Sequence, residues 1–311
     1  MPKWTLKDLG TLQGKVIVVT GGNSGIGFDT ALTCAAQGAQ VVLACRNPKK
    51  AASAVVEIKK RVPQSEPTSI PLNLGNLKSV RDFARQFGES FKVLDVLVNN
   101  AGIMMPPYEC TEDGFESQFG VNHLGHFALT GLLIPQLESS DSPRIVTISS
   151  LAHRFGDMDF DNIMFEGGHG YSRTRAYGRS KLANLLFTFE LQRRLANQGS
   201  KIKAIAAHPG LAATNLSRYL ESYRIVRFAM PLVECFIQSS EMGALPTLRA
   251  IGDVAAESGH YYGPDGFRQQ RGYPRLVGSS KLARNPEVAA RLWSLSENLT
   301  GIRFLGPKGP G

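Results

Sequence analysis

Residues 15–27 read KVIVVTGGNSGIG, a β-branched run that ends abruptly in a turn of glycines. Val16, Ile17, Val18 and Val19 suit a buried, pleated strand. Glycines at 21, 25 and 27 suit a tight turn. A helix that begins after such a turn offers free N–H groups, at the positive end of its dipole, to an anion. Strand, glycine turn and helix in this order predict a doubly wound (Rossmann) α/β fold with a pyrophosphate at its first turn. The spacing departs from G-x-G-x-x-G: counted from Gly25 it reads G-I-G-F-D-T, with Thr30 in the third glycine's place.

Working outward, QVVLAC (40–45), SIPLNL (69–74), VLDVLVNN (93–100), RIVTISS (144–150) and KIKAIAA (201–207) are further runs of strand length. Between them lie amphipathic stretches of helical length, PKKAASAVVEIKKR and NLKSVRDFARQF, the second with Asn76 as its N-cap. Near-continuously apolar strands joined by helices predict a mostly parallel sheet of six to seven strands, covered on both faces. No repeat or low-complexity linker interrupts the chain, so residues 1–311 read as one domain. Residues 211–240 are an apolar, irregular insertion that reads as a small substrate lid. PEVAARLWSLSENL is a last amphipathic helix, and YYGPDGF (261–267) is turn-rich and structural, near a C-terminal strand.

Composition narrows the function. Hydrophobic residues make up 42% and charged residues 20%, enough apolar matter for a sizeable core and too much for a disordered chain. The net charge is +9, but no run of five or more basic residues occurs, which argues against a nucleic-acid partner. The four cysteines show no metal-ligand spacing. His123 and His126 stand at i, i+3 without a third ligand, so no metal is expected. The N-terminal MPKWTLKDLGTLQGK lacks an apolar core, and IVRFAMPLVECFI is broken by Arg227, Pro231 and Glu234. No signal peptide and no integral membrane segment are expected, and a reduced, cytoplasmic setting follows.

The second strand ends in LACRN, with Cys45 and then Arg46 where an NAD-binding chain would place an acid for the ribose 2′-OH. A guanidinium matches a 2′-phosphate bidentately, so NADP(H) is expected over NAD(H). A solvated arginine in a βα loop is the plainer alternative.

Tyr177 and Lys181, in AYGRSKLANLL (176–186), are by themselves an ordinary polar pair on one helical face. With TGGNSGIG, NNAG (99–102), the serine ending RIVTISS and HPG (208–210) in this order, the chain resembles the classical short-chain dehydrogenases/reductases over residues 14–215. LACRN, VNHLGHF (121–127), SSLAHRFG (149–156) and AYGRSKLANLLF are similar to the retinol dehydrogenase and WW-domain oxidoreductase branch.

That resemblance implies roles. Gly21, Asn23, Ser24, Gly25, Ile26 and Gly27 would line the pyrophosphate, and Asn99 would support the sheet beside the adenosine, next to Asn100, Ala101 and Gly102. Asn122 would be the helix-kinking asparagine that holds a proton-relay water, and Ser150, rather than its neighbour Ser149, the catalytic serine. Pro209, Gly210 and Thr214 would close over the nicotinamide, and the family commonly pairs as dimers or tetramers through the helices of Asn122 and Tyr177. Two departures stand out. Asn73-Leu74 replaces the usual Asp-Leu that reads the adenine amino group, although an asparagine oxygen accepts the same bond. The stretch from Ser150 to Tyr177 is long and contains FEGGHGYSRTR, read as a flexible rim of the substrate site.

The chemistry wants these residue types. Carbonyl reduction needs a proton for the developing alkoxide, and a free tyrosine, at a pKa near ~10, exchanges it poorly at neutral pH. A lysine one turn on favours phenolate and positions the nicotinamide ribose, while the serine hydroxyl stabilises the oxygen's charge. His153, Tyr171 and Leu211 are candidate substrate contacts. Leu216, Tyr219, Leu220, Tyr223, Ile225, Phe228, Met230 and Phe236 fit a lipophilic (retinoid-, steroid- or polyketide-like) substrate, and equally core packing or a subunit interface. The expected activity is NADP(H)-dependent hydride transfer between a carbonyl and a primary or secondary alcohol. The alternatives are a non-catalytic NADP(H)-sensing module and a double-bond reductase of the protochlorophyllide reductase type.

Overall fold

A computed structural model of the chain describes residues 3–212 and 238–306. Its strands are β1 (Val16–Thr20), β2 (Gln40–Cys45), β3 (Thr68–Pro71), β4 (Val96–Asn99), β5 (Arg144–Ile148), β6 (Lys203–Ala207), β7 (Tyr261–Pro264) and β8 (Pro274–Leu276). They form one sheet in the order β3-β2-β1-β4-β5-β6-β7-β8. Neighbours pair in parallel through β7, and β8 closes the edge antiparallel. Among the described residues the sheet thus has eight strands, against six to seven expected from the sequence. The extra one is β8, three residues long, too short for any periodicity to announce it. β3 stops at Pro71, three residues before the end of the apolar run that predicted it.

The helices are α1 (Gly25–Ala36), α2 (Pro48–Arg61), α3 (Leu77–Ser90), α4 (Ser117–Phe119), α5 (Gly125–Glu138), α6 (Arg173–Gln198), α7 (Ser240–Gly252) and α8 (Pro286–Thr300). Asn76 caps α3 as expected, its side chain accepting from the Ser79 N–H at 2.9 Å. Helix α7 was not legible beforehand, because Pro246 and two glycines interrupt its pattern. Ser239 caps it, so helix begins where the predicted lid ends. The body of that lid, Thr214 included, lies outside the described residues.

Alternation along β1 divides the core. Ile17 and Val19 point to the face covered by α1, α2 and α7, whereas Val18 points to the face covered by α3, α5, α6 and α8. Each fully buried aliphatic side chain of this kind contributes about 1.5–3 kcal/mol. A third cluster joins α6 to α8 and to Met158, Phe160 and Met164. Every residue of α6 from Gly178 to Leu191 is buried, so the middle of this helix is enclosed on all sides. Among the described residues no helix is long and apolar enough to cross a membrane.

Candidate active site

Strand order reverses between β1 and β4, and a crevice opens there at the carboxyl ends of the strands. Its volume is about 730 Å³. The glycine turn forms one wall. Gly21 (φ 67°) and Gly25 (φ 53°) occupy the left-handed region that only glycine enters without strain. A Cβ on Gly27 would lie 2.5 Å from the Asn100 amide nitrogen and 2.6 Å from the Gly21 oxygen, so the helix must start this close. Thr20 fastens the turn to NNAG: its hydroxyl oxygen accepts from the N–H of Asn100 (2.8 Å) and Ala101 (2.9 Å). Asn100 Nδ2 in turn donates to the Thr20 carbonyl at 2.7 Å. Asn99 is buried and donates to Thr130 Oγ1 at 3.0 Å, a strut inside the sheet.

The first turn of α1 faces this crevice with no side-chain cap on its N–H groups, whereas α2, α3, α7 and α8 are capped by Asn47, Asn76, Ser239 and Asn285. An uncapped, crevice-facing N-terminus behind glycines with no room for a Cβ fits a dinucleotide pyrophosphate. Asn23, Ser24 and Ile26 line the same wall. Further along, Arg46 is exposed at the crevice edge, and its neighbour Cys45 is buried with its thiol pushed up to about 11 by burial. Neither position holds an acid.

Asn73 and Leu74 line the crevice, and the structure accounts for the asparagine. Asn73 Nδ2 donates to the Glu112 carboxylate at 3.2 Å, while its Oδ1 accepts from the Gly75 N–H at 3.1 Å. An aspartate here would set a second carboxylate against Glu112. The amide turns that repulsion into a hydrogen bond.

At the other end Ser150, Tyr177, Lys181 and Asn122 converge. Ser150 caps a 3₁₀ turn (Leu151–Phe155), its Oγ accepting from the Ala152 N–H at 3.2 Å. The same hydroxyl hydrogen-bonds Tyr177. Ser149 is different: it is buried and donates to the Lys181 carbonyl at 2.8 Å. Lys181 Nζ donates to the Ile148 carbonyl at 3.2 Å and lies 5.8 Å from the centroid of the Tyr177 ring. Burial pulls Lys181 down to about 8. Burial also raises Tyr177, against the lowering effect of the Ser150 hydrogen bond. Desolvation is the larger of the two effects on Tyr177.

Asn122 sits in a π-helical turn (Gly120–Leu124) between α4 and α5. Its Oδ1 accepts from the Ile103 N–H (2.8 Å), and its Nδ2 donates to the Ile103 carbonyl (3.0 Å) and Ser180 Oγ (2.9 Å). Gly102 leaves room beside it, since a Cβ there would lie 3.1 Å from that Oδ1 and 3.5 Å from Lys181 Nζ. Pro209, Gly210 and Leu211 complete this end, with the Leu211 N–H donating to Gln270 at 2.7 Å.

Two expected substrate contacts point elsewhere. His153 is buried, with Nδ1 on the Ser150 carbonyl at 2.7 Å and Nε2 accepting the Ser280 N–H at 3.2 Å. Both ring nitrogens are spent behind the serine. Tyr171 donates to the Pro106 carbonyl at 2.9 Å and accepts from Gln118 Nε2 at 3.1 Å, which makes it a strut between loops. The stretch around it is anchored rather than loose. Phe165 is wholly buried under the Arg179 guanidinium, 4.1 Å from the ring centroid, and Arg179 also binds Asp157 and the Asn162 and Ile163 carbonyls. Sequence reasoning missed Met104, Met105, Leu151 and Phe155, which also line the crevice. Their only signal was position, directly after NNAG and directly after the serine.

A glycine turn at the switch point of a parallel sheet, opposite a serine–tyrosine pair beside a buried lysine, defines a nucleotide-dependent oxidoreductase of the doubly wound class. The chain belongs to the short-chain dehydrogenase family, whose model matches residues 15–224. It is 41% identical to retinol dehydrogenase 13 of Homo sapiens over 297 residues, covering 94% of this chain and 86% of that protein. With retinol dehydrogenase 12 of Mus musculus it shares 42% over 295 residues, covering 94% and 88%. A crystal structure of an uncharacterised protein from Mycobacterium Paratuberculosis superimposes with a TM-score of 0.81 at 40% identity, over 97% of this chain and 99% of that one. The Pseudomonas aeruginosa RhlG/NADP complex shares the fold, with a TM-score of 0.65 and 23% identity over 81% and 94%.

Proposed function

We propose that this oxidoreductase uses NADP(H) to interconvert an alcohol and a carbonyl in a lipophilic molecule. The observation that carries the reading is the convergence of Ser150, Tyr177 and Lys181 at one end of a crevice that has the glycine turn and Arg46 at the other. The cofactor, when bound, supplies or takes up the hydride on its nicotinamide. Tyr177 gives its phenolic proton to the substrate oxygen in reduction and receives it back in oxidation. Ser150 donates a hydrogen bond to that oxygen as its charge develops. Lys181 contributes the positive charge that favours the phenolate, and Asn122 holds the relay that restores the proton. Arg46 would meet the 2′-phosphate, Asn73 and Leu74 the adenine, and Pro209, Gly210 and Leu211 the nicotinamide end. The crevice-lining side chains Met104, Met105, Leu151 and Phe155 are apolar, in keeping with a lipophilic substrate and with the retinol named in the relatives.

The test pairs binding with turnover. Thermal shift should favour NADP⁺ over NAD⁺, and Arg46→Asp should reverse that preference. Oxidation assays on alcohols of increasing size, retinol among them, should give turnover that Tyr177→Phe abolishes without loss of cofactor binding. A preference for NAD⁺ unaltered by Arg46→Asp overturns the cofactor assignment. Wild-type turnover by Tyr177→Phe overturns the mechanism.

A further inference from the structure

We propose that His126 is a positioning residue for the proton-relay end of the site, holding the Asn122 carbonyl through Nδ1 while Thr20 holds the imidazole. The inference rests on the alcohol/carbonyl reading above.

The geometry fixes the tautomer. His126 lies in the first turn of α5, just past the π turn, and is 1% exposed. Its Nδ1 is 3.0 Å from the Asn122 carbonyl oxygen. A carbonyl can only accept, so Nδ1 carries the proton and Nε2 is an acceptor. Thr20 Oγ1 lies 2.9 Å from Nε2. That oxygen already accepts two N–H groups, from Asn100 and Ala101, which leaves its single hydrogen to give. The Val98 carbonyl is a longer alternative at 3.2 Å, and choosing it would strand Nε2. With Thr20 donating to His126, the polar groups in this chain are matched.

Two consequences follow. Asn122 is held at both of its polar ends: the side chain by Ile103 and Ser180, the backbone carbonyl by His126. Ser180 then reaches the Tyr177 carbonyl at 2.9 Å. One hydrogen-bonded path therefore runs from the NNAG wall through Thr20, His126, Asn122 and Ser180 to the backbone of Tyr177. The imidazole also stays neutral: burial, with the nearby Lys181 charge, holds it down to about 4. A cationic ring would carry a second N–H toward Thr20 and a second charge beside Lys181. His123, three residues earlier, takes a different role, meeting Ser296 of α8 at 2.9 Å. Thus the two histidines take different partners, His123 toward α8 and His126 along the path to the relay.

The test uses the full chain and reads structure before rate. Long-range ¹H–¹⁵N spectra of the ligand-free protein should show His126 as the neutral Nδ1–H tautomer, and an Nε2–H tautomer overturns the proposal. His126→Phe keeps the ring volume and removes both bonds. It should bind NADP⁺ within about twofold of wild type while kcat falls about 10- to 100-fold, as small misplacements of a reacting relay do. KM should move little, and the solvent deuterium effect on kcat should rise as proton delivery becomes slow. His126→Asn, whose amide N–H can replace Nδ1–H, should recover most of kcat. Equal kcat in wild type and His126→Phe, or equal losses in the Phe and Asn variants, overturns the proposal. Tyr177→Phe is run beside them with retinol, or whichever alcohol of the series turns over fastest. If it still turns over, the parent reading has failed. If it is inactive while His126→Phe is normal, only this inference has.

Discussion

Gly156 rests directly on Gly178: a Cβ on the first would lie 2.3 Å from the carbonyl oxygen of the second. The loop that leaves Ser150 is thus pressed, backbone on backbone, against the residue that follows Tyr177. Small size at position 178 serves this contact within the chain. Gly156→Ala has no flexible neighbour to push aside, so it should destabilise the protein by about 1–3 kcal/mol. It should also lower kcat while NADP⁺ affinity holds. At Gly178 the obstacles are the Phe155 ring at 2.9 Å and the Ala152 oxygen at 3.0 Å, and Gly178→Ala should cost less. Paired denaturation and kinetic measurements on the two variants check the order.

Lys181 trades stability for chemistry. Its usual pKa is 10.5 and burial brings it to about 8. Below about 8 both folded and unfolded states carry the charge, and the folded state bears the full burial cost. Between about 8 and 10.5 the unfolded chain holds the extra proton, so stability should rise with pH across that window. Lys181→Met should be more stable at neutral pH by an amount on the order of 3 kcal/mol, should lose that slope, and should be inactive. Asn184 Nδ2, 3.0 Å from the Ile148 oxygen, keeps that carbonyl satisfied in the variant. Denaturant melts between pH 7 and 10 test the sign.

Four buried histidines should make the protein acid-labile. Burial lowers His123 and His208 to about 3 and His126 to about 4, from a usual 6.5, and lowers His153 as well. Above 6.5 they are neutral in both states, and their stability is fully present. As pH falls through 6.5 the unfolded chain takes up protons that the folded chain refuses until about 4. Each should cost roughly 1.4 kcal/mol per pH unit in that window. Tm should therefore drop steeply from pH 6.5 to 4, and replacing His123, His126 or His208 by a neutral residue should flatten the slope. A flat Tm across that range would refute the assignment.

The middle of helix α6 has no face left for a partner, since every residue from Gly178 to Leu191 is buried by the chain's own sheet, by α8 and by the Met158–Met164 stretch. On helix α5 the Phe304 ring covers Gly131, where a Cβ would lie 2.5 Å from it, while Pro135 and Glu138 stay exposed. Two copies should therefore not pair through the Gly178–Leu191 stretch, and cysteines introduced along it should trap no cross-linked dimer.

What the sequence revealed depended on distance along the chain. The glycine turn, the Asn76 cap and the Tyr177–Lys181 spacing are local patterns, and each forms as read. His153 could not be placed, because the partner that turns it from substrate is Ser280, 127 residues away. Tyr171 is claimed by Pro106, 65 residues earlier, and Asn73 by Glu112, 39 residues later. Strand β8 exists only because β7 gives it an edge to pair with, and its own residues (Pro274, Arg275, Leu276) carry no strand signal.

Gln118 is wholly buried and belongs to neither the relay nor the cofactor wall. It accepts from the Met105 N–H at 2.8 Å and donates to Tyr171 Oη and to the Arg173 carbonyl. The loop that follows NNAG and the loop that leads into α6 are thus bolted to one side chain. A change at position 118 would therefore release two loops at once, the one that carries the crevice-lining Met105 and the one that enters α6.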